Sequence, residues 1–158
     1  MALKPHYEAQ VWETSYFLNE TAERGVILCS STGTNFTPGS GSAMDSFNQL
    51  ANVAVNPSGR YAIGILWDTF VNQDLTEYPL NRFQPVQQKG NKATIIRQGT
   101  LVTNMVVGAS SITPEQPAYL AATGYISPNS FAAGGSVQIG KFITRPDADG
   151  YVKVRVNL

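Results

Sequence analysis

From Tyr151 to Leu158 apolar and polar residues alternate without interruption. Val152, Val154, Val156 and Leu158 fall on one side, Tyr151, Lys153, Arg155 and Asn157 on the other. A period of two describes a β-strand buried on one face only. Asp149-Gly150 just before it predicts a turn, because both residues tolerate positive φ at little steric cost. The strand is expected to be built into a sheet to its last residue, with Tyr151, Lys153 and Arg155 facing solvent, a sister subunit or a larger assembly. Pro117–Ile126 and Val137–Thr144 precede it as further strand-like stretches. Tyr61–Trp67 is apolar throughout and rich in strand formers, which predicts a strand buried on both faces.

Lys92–Arg97 and Leu101–Val107 are expected as two strands joined by a tight two-residue turn at Gln98-Gly99. Gly25–Ser30 and Val53–Val55 predict short strands, the second ending at the turn signal Asn56-Pro-Ser-Gly59. Between them, residues 31–42 are all Ser, Thr, Gly, Asn, Pro and one Phe, which predicts a long loop. Ser42-Ala-Met-Asp45 could open a short helix burying Met44, Phe47 and Leu50. Residues 68–90 turn polar and carry Pro79 and Pro85, which predicts an excursion rather than a regular element. Residues 1–24 mix Tyr7, Trp12, Tyr16 and Phe17 with four glutamates and show no clean period. They are read as an N-terminal arm, extended or partly helical, preceding a single β domain over 25–158. Short strands with Gly/Pro turns and at most one short helix indicate an all-β fold, a small β-barrel or β-sandwich with an arm and long loops.

A chain of 158 residues suits one domain with one sizeable core. Eleven basic and eleven acidic residues cancel, and charged residues make up 14%, well below the ~25% usual for soluble domains. So little charge on a chain that is 42% hydrophobic suggests a surface partly covered by partners. With no Lys/Arg run, nucleic acid is not expected as a partner. No apolar run approaches the ~18 residues of a membrane span, and the start shows no signal-peptide pattern. A membrane partner is therefore not expected either, and synthesis in a cytoplasm is.

One cysteine excludes an internal disulfide, and Cys29, in the apolar run Val26-Ile-Leu28, reads as a buried structural thiol. His6, alone of its kind, excludes the usual His-rich metal sites and offers a poor base for a Ser-His or Cys-His mechanism. Gly39-Ser-Gly-Ser-Ala-Met44 and Lys89-Gly-Asn-Lys92 lack the residues that complete dinucleotide and phosphate loops. Asp147-Ala-Asp-Gly150 resembles a fragment of a calcium loop but lacks the further acidic ligands calcium requires. Nothing places carboxylates such as Asp68 and Asp74, or Glu77 and Glu115, at working distance for sugar hydrolysis. No enzyme, cofactor or metal is expected.

The ordered series of turns and strands carries a resemblance. It runs Asn56-Pro-Ser-Gly59, Gly64-Ile-Leu66, Val71-Asn-Gln-Asp74 and Asn81-Arg82. Lys89-Gly-Asn-Lys92 then leads to Gly99-Thr-Leu-Val-Thr-Asn104, Ala118–Gly124, Ile139-Gly-Lys-Phe142 and Asp147–Val154. Over roughly residues 50–158 this resembles the small virion structural proteins of tailed bacteriophages, cyanophages included, and most closely the head decoration or capsid cement type. The resemblance implies a β-barrel or β-sandwich, usually trimeric, on the outer surface of the capsid. Its partners would be the major capsid protein and sister copies, and its work, bridging capsid subunits to stabilise the shell, would need no active site. A tail, baseplate or host-binding virion module is the alternative. On this reading Trp12, Tyr16 and Phe17 would anchor a neighbouring subunit or the capsid, and Arg60 and Arg82 would orient it. Tyr151, Lys153 and Arg155 would face a sister subunit at least in part.

Overall fold

A computed structural model describes residues 3–13, 16–30, 50–53, 61–70, 86–87, 92–130 and 137–158. The described strands are β1 (Leu3–Glu13), β2 (Phe17–Leu18), β3 (Ala22–Glu23), β4 (Ile27–Ser30), β5 (Leu50–Val53) and β6 (Ala62–Phe70). They continue with β7 (Val86–Gln87), β8 (Lys92–Thr103), β9 (Pro117–Leu120), β10 (Ile126–Ser127), β11 (Gln138–Phe142) and β12 (Val152–Asn157). Two short 3-10 turns, Ala109–Ser111 and Ala122–Gly124, are the only helical elements among the described residues. The fold is all-β, and its main sheet is nearly closed into a barrel.

The sheet is arranged about β8. Along one edge it pairs antiparallel with β1, from Leu3 opposite Thr103 to Glu13 opposite Ile95, and then with β2 through Phe17 opposite Lys92. Along the other edge it pairs first with β6, over Lys92–Ile96, and then with β12, over Gln98–Thr103. From β6 the pairing runs through β4 and β5 and returns to β8 by way of β2, with β5 and β2 parallel. From β12 it runs through β11 and β9 to β10. Beyond the end of β8, a parallel bridge from Val106 to Ile126 brings the chain back to β10. Two nearly closed circuits of strands therefore share one strand. Such closure leaves few unsatisfied sheet edges.

Gln98-Gly99 is accordingly not a hairpin turn. It lies inside β8, where the strand changes partner from β6 to β12. Gly99 has φ 154, and β1 shows a register shift opposite this place, between Ala9 and Val11. A glycine tolerates the bend that carries one strand from one circuit into the other. The chain's polar-glycine signal is real, but it marks a bend within a strand.

Two clusters of buried side chains occupy the two faces of β4 and β6. Leu28, Ile63 and Leu66 join Leu18, Ala22, Ala51, Ala93 and Ile95 in one. Ile27, Cys29 and Ile65 join Leu101, Leu120, Ile126, Phe142 and the three valines of β12 in the other. The apolar run of β6 is thus buried on both sides from Ile63 to Leu66, while Tyr61, just before the strand, is 83% exposed. Alternation in β12 follows the sequence pattern, with Val152, Val154 and Val156 fully buried.

The N-terminal segment is extended and continuous with this body. Leu3–Glu13 lies in β1, and Phe17, Leu18 and Ala22 are buried. Bulges in β1, between Leu3 and Tyr7 and again between Ala9 and Trp12, displace the parity of its residues, which is why no clean period shows in the sequence. Leu50, expected on a helix, stands at the start of β5, and the described part of the second short strand ends at Val53. The long Ser/Gly loop, the rest of the expected helix, the Asn56–Gly59 turn and the Lys89–Asn91 turn lie outside the described residues, as does most of the 68–90 stretch.

Because Leu18 is fully buried in the cluster that β8, β6, β4 and β5 enclose, Leu18→Ala should destabilise the protein by about 2–5 kcal/mol in denaturant unfolding. A loss below about 0.5 kcal/mol would show that residues 17–18 are separable from the body.

Candidate functional site

The outward face of β11 and β12 gathers charged residues from three separate parts of the chain. On β12 the residues that alternate with the buried valines are Lys153, half-buried, and Arg155 and Asn157, both exposed, the last of them ending the strand. Antiparallel pairing of β11 with β12 sets Lys141 directly opposite Arg155. Both are exposed, so two cations face each other across one rung of the sheet. Like charges in that position repel, typically at a cost of a few tenths of a kcal/mol to about 1 kcal/mol.

Gly140 stands on the next rung, opposite Val156. A Cβ there would run into the carbonyl oxygen of Arg155, so only glycine fits at this position against β12. A bulge against β9 lies beside it, between Gln138 and Gly140. The neighbouring polar groups are tied into the sheet. The Gln98 side-chain amide donates to Asn157 Oδ1 at 3.2 Å, and that of Gln138 donates to the Gly140 carbonyl at 3.4 Å.

The third contributor is Glu115, whose Oε2 lies 3.8 Å from Lys141 Nζ. It arrives there through a turn. The Gln116 N–H donates to the Thr113 carbonyl at 3.3 Å, with Pro114 and Glu115 as the two central residues. Proline locks its own φ near −65°, and Glu115 has φ 65, which together give a type II turn. The third place of such a turn normally takes glycine, so a glutamate there is held in a conformation that side chains disfavour. Two backbone bonds enforce it: Glu115 N–H donates to the Phe142 carbonyl at 2.8 Å, and Phe142 N–H donates to that of Gln116 at 2.9 Å. The Gln116 side chain closes the turn by accepting from the Thr113 N–H at 3.0 Å.

These residues border a shallow depression of about 400 Å³, with Glu115, Lys141 and Arg155 as its charges and Gln138 and Asn157 as its neutral polar groups. Its formal charge is +1, from two cations and one carboxylate. Glu115 and Lys141 are 72% and 55% exposed, so their ion pair is solvent-screened and contributes little to stability.

The residues singled out from sequence are distributed as follows. Arg155 lies in the depression, and Lys153 and Tyr151 lie further along the same strand and its approach, both half-buried. Tyr16 is half-buried against the cluster containing Leu18, and its carbonyl accepts from Ala93 N–H at 2.8 Å. Phe17 is 7% exposed, with the Lys92 ammonium 5.8 Å from its ring centroid, and so offers little surface to a partner. Trp12 stands in β1, opposite Ile96. Arg60 and Arg82 lie outside the described residues. In the Asp147–Gly150 turn, Asp147 Oδ1 accepts from the N–H groups of Asp149 and Tyr151, at 3.0 and 2.8 Å. That carboxylate serves as the acceptor that shapes the turn into β12.

Sequence reasoning missed Lys141 and Glu115 as companions of Arg155. Their meeting depends on strand register and on the Thr113–Gln116 turn, of which only Pro114 left a trace in the sequence. No protein-family model matches the chain, and none of the curated proteins searched matches it.

Removing one of the opposed cations relieves their repulsion. Arg155→Gln should raise Tm by about 1–3 °C at low ionic strength. The gain should vanish in about 1 M salt, where the screening length falls to ~3 Å. A fall in Tm, or a gain insensitive to salt, would contradict the opposed-charge geometry.

Proposed function

We propose that this protein is a non-enzymatic virion structural protein, a capsid cement or decoration protein that binds the outside of a tailed-phage head and bridges major capsid subunits. The observation that supports this best is a nearly closed β-barrel whose apolar side chains are packed within while one sheet face, that of β11 and β12, presents polar and charged groups outward. The order of turns and strands over residues 50–158, which resembles the capsid cement type, points the same way.

The work is mechanical. A sheet hydrogen-bonded around two circuits resists shear, because any strand that slides must break pairing on both edges. Fixed to several capsid subunits at once, such a body stabilises the assembled shell by mass action, since it binds the assembled state and not the dissociated one. In a trimer the same contact is presented three times, and avidity multiplies a weak individual affinity without one large apolar patch. Sister copies meet partly through the Tyr151–Lys153 end of β12, which leaves the Arg155 end for the shell.

Two measurements test this reading. Size-exclusion chromatography with light scattering should give a stable trimer, and a low-resolution map of virions carrying the protein should place it on the outer surface of the head. A monomer counts against the avidity mechanism. Density on the tail or baseplate, or none in the virion, would overturn the cement role.

A further inference from the structure

We infer that the depression between β11, β12 and the Thr113–Gln116 turn is a recognition site for a carboxylate, supplied by an Asp- or Glu-bearing surface segment of a partner protein. The inference rests on charge and geometry at Lys141, Arg155 and Glu115 and stands whether or not the partner is a capsid subunit.

Three features carry it. The first is the register that sets Lys141 against Arg155, beside Gly140, where β12 leaves no room for a side chain. Directly opposed residues in an antiparallel pair have Cβ atoms roughly 5 Å apart, so both cationic heads can reach one carboxylate. The guanidinium adds a planar fork that matches a carboxylate with two parallel hydrogen bonds. The repulsion between the two cations is relieved when an anion sits between them, and this makes the anion-bound state the one the register favours.

The second feature is Glu115. Its carboxylate, 3.8 Å from Lys141 Nζ, already shows how an acid approaches this face. It answers only one of the two cations, and among the described residues no acidic group is paired with Arg155. It does so from a backbone conformation, φ 65, that glycine would hold with less strain. A glutamate at the third place of a type II turn puts a negative charge at the rim of the depression. Its effect is to set the local charge at +1 instead of +2.

The third feature is what that value selects. One carboxylate neutralises the site. A run of phosphates would bring its second charge against Glu115, and the chain's net charge of zero provides no long-range attraction for a polyanion. The flanking amides of Gln138 and Asn157 suit the polar backbone beside an acidic side chain. A protein carboxylate fits this pattern, and nucleic acid does not.

The test uses the full chain and fluorescence anisotropy at low ionic strength. The probes are a fluorescein-labelled glutamate-rich peptide, its counterpart with glutamine in place of glutamate, and labelled single-stranded DNA of equal length. The glutamate peptide should bind and the glutamine peptide should not. Arg155→Gln should weaken binding by roughly tenfold or more, the loss of one charge-assisted contact. Glu115→Gln should strengthen it several-fold by removing the competing acid. Arg145→Gln, a change at an exposed cation outside the depression, should leave affinity within about twofold. Thermal melts check that each variant is folded.

Absence of binding by the glutamate peptide would overturn the inference. So would equal losses in Arg145→Gln and Arg155→Gln, or DNA binding tighter than peptide binding and abolished by Arg155→Gln. Dissociation of the protein's own oligomer by Arg155→Gln would assign the face to a second copy and overturn it as well. None of these outcomes depends on where the protein sits in a virion, so the site and the proposed function fail separately.

Discussion

One strand has to satisfy hydrogen bonds on both edges to four different neighbours, and the rest of the fold is arranged around that demand. β8 runs twelve residues from Lys92 to Thr103, with β1 and β2 along one edge and β6 then β12 along the other. Leaving its buried amides and carbonyls unpaired would cost more than any single contact elsewhere in the sheet contributes. The bend at Gly99 lets it serve both circuits. Its odd-numbered residues carry Ala93 and Ile95 into one core and Leu101 into the other. β4 and β6, buried on both faces, join the two cores.

The same constraint explains what could be read from the sequence. β12 was legible because it is regular and half-buried, so burial and alternation coincide residue by residue from Val152 to Val156. β6 was legible as a strand with no polar face. β8 was not, because a strand that changes partner midway shows the same Gln-Gly interruption as a hairpin turn. Period-two patterns describe one strand's faces and carry no information about its edges. The N-terminal segment was obscured in a different way. Bulges displace its parity, so β1 reads as an arm although it is paired along the length of β8 from Thr103 to Ile95.

The site shows the same division. Arg155 and Lys153 were visible as the polar side of a clean strand. Lys141 and Glu115 became neighbours of Arg155 only through a bulged β11 and a type II turn, features of register and backbone conformation. Gly140 contributes through its lack of a side chain, which no hydrophobic pattern records. A barrel that closes two cores on one shared strand therefore builds its outward chemistry from residues far apart in sequence and places them with the precision of a β-ladder.

On the proposed reading the outward face of β11 and β12 carries an anion-seeking pair of cations, and the protein would work by holding other subunits rather than by transforming a molecule. The most direct measurement is zero-length carbodiimide cross-linking of intact virions, followed by mass spectrometry of peptides containing Lys141. Carbodiimide joins an amine to a carboxylate already in contact with it. The account predicts a link from Lys141 to an Asp or Glu of the major capsid protein, competing with the internal link to Glu115. Links only to Glu115, or to a tail component, would contradict it.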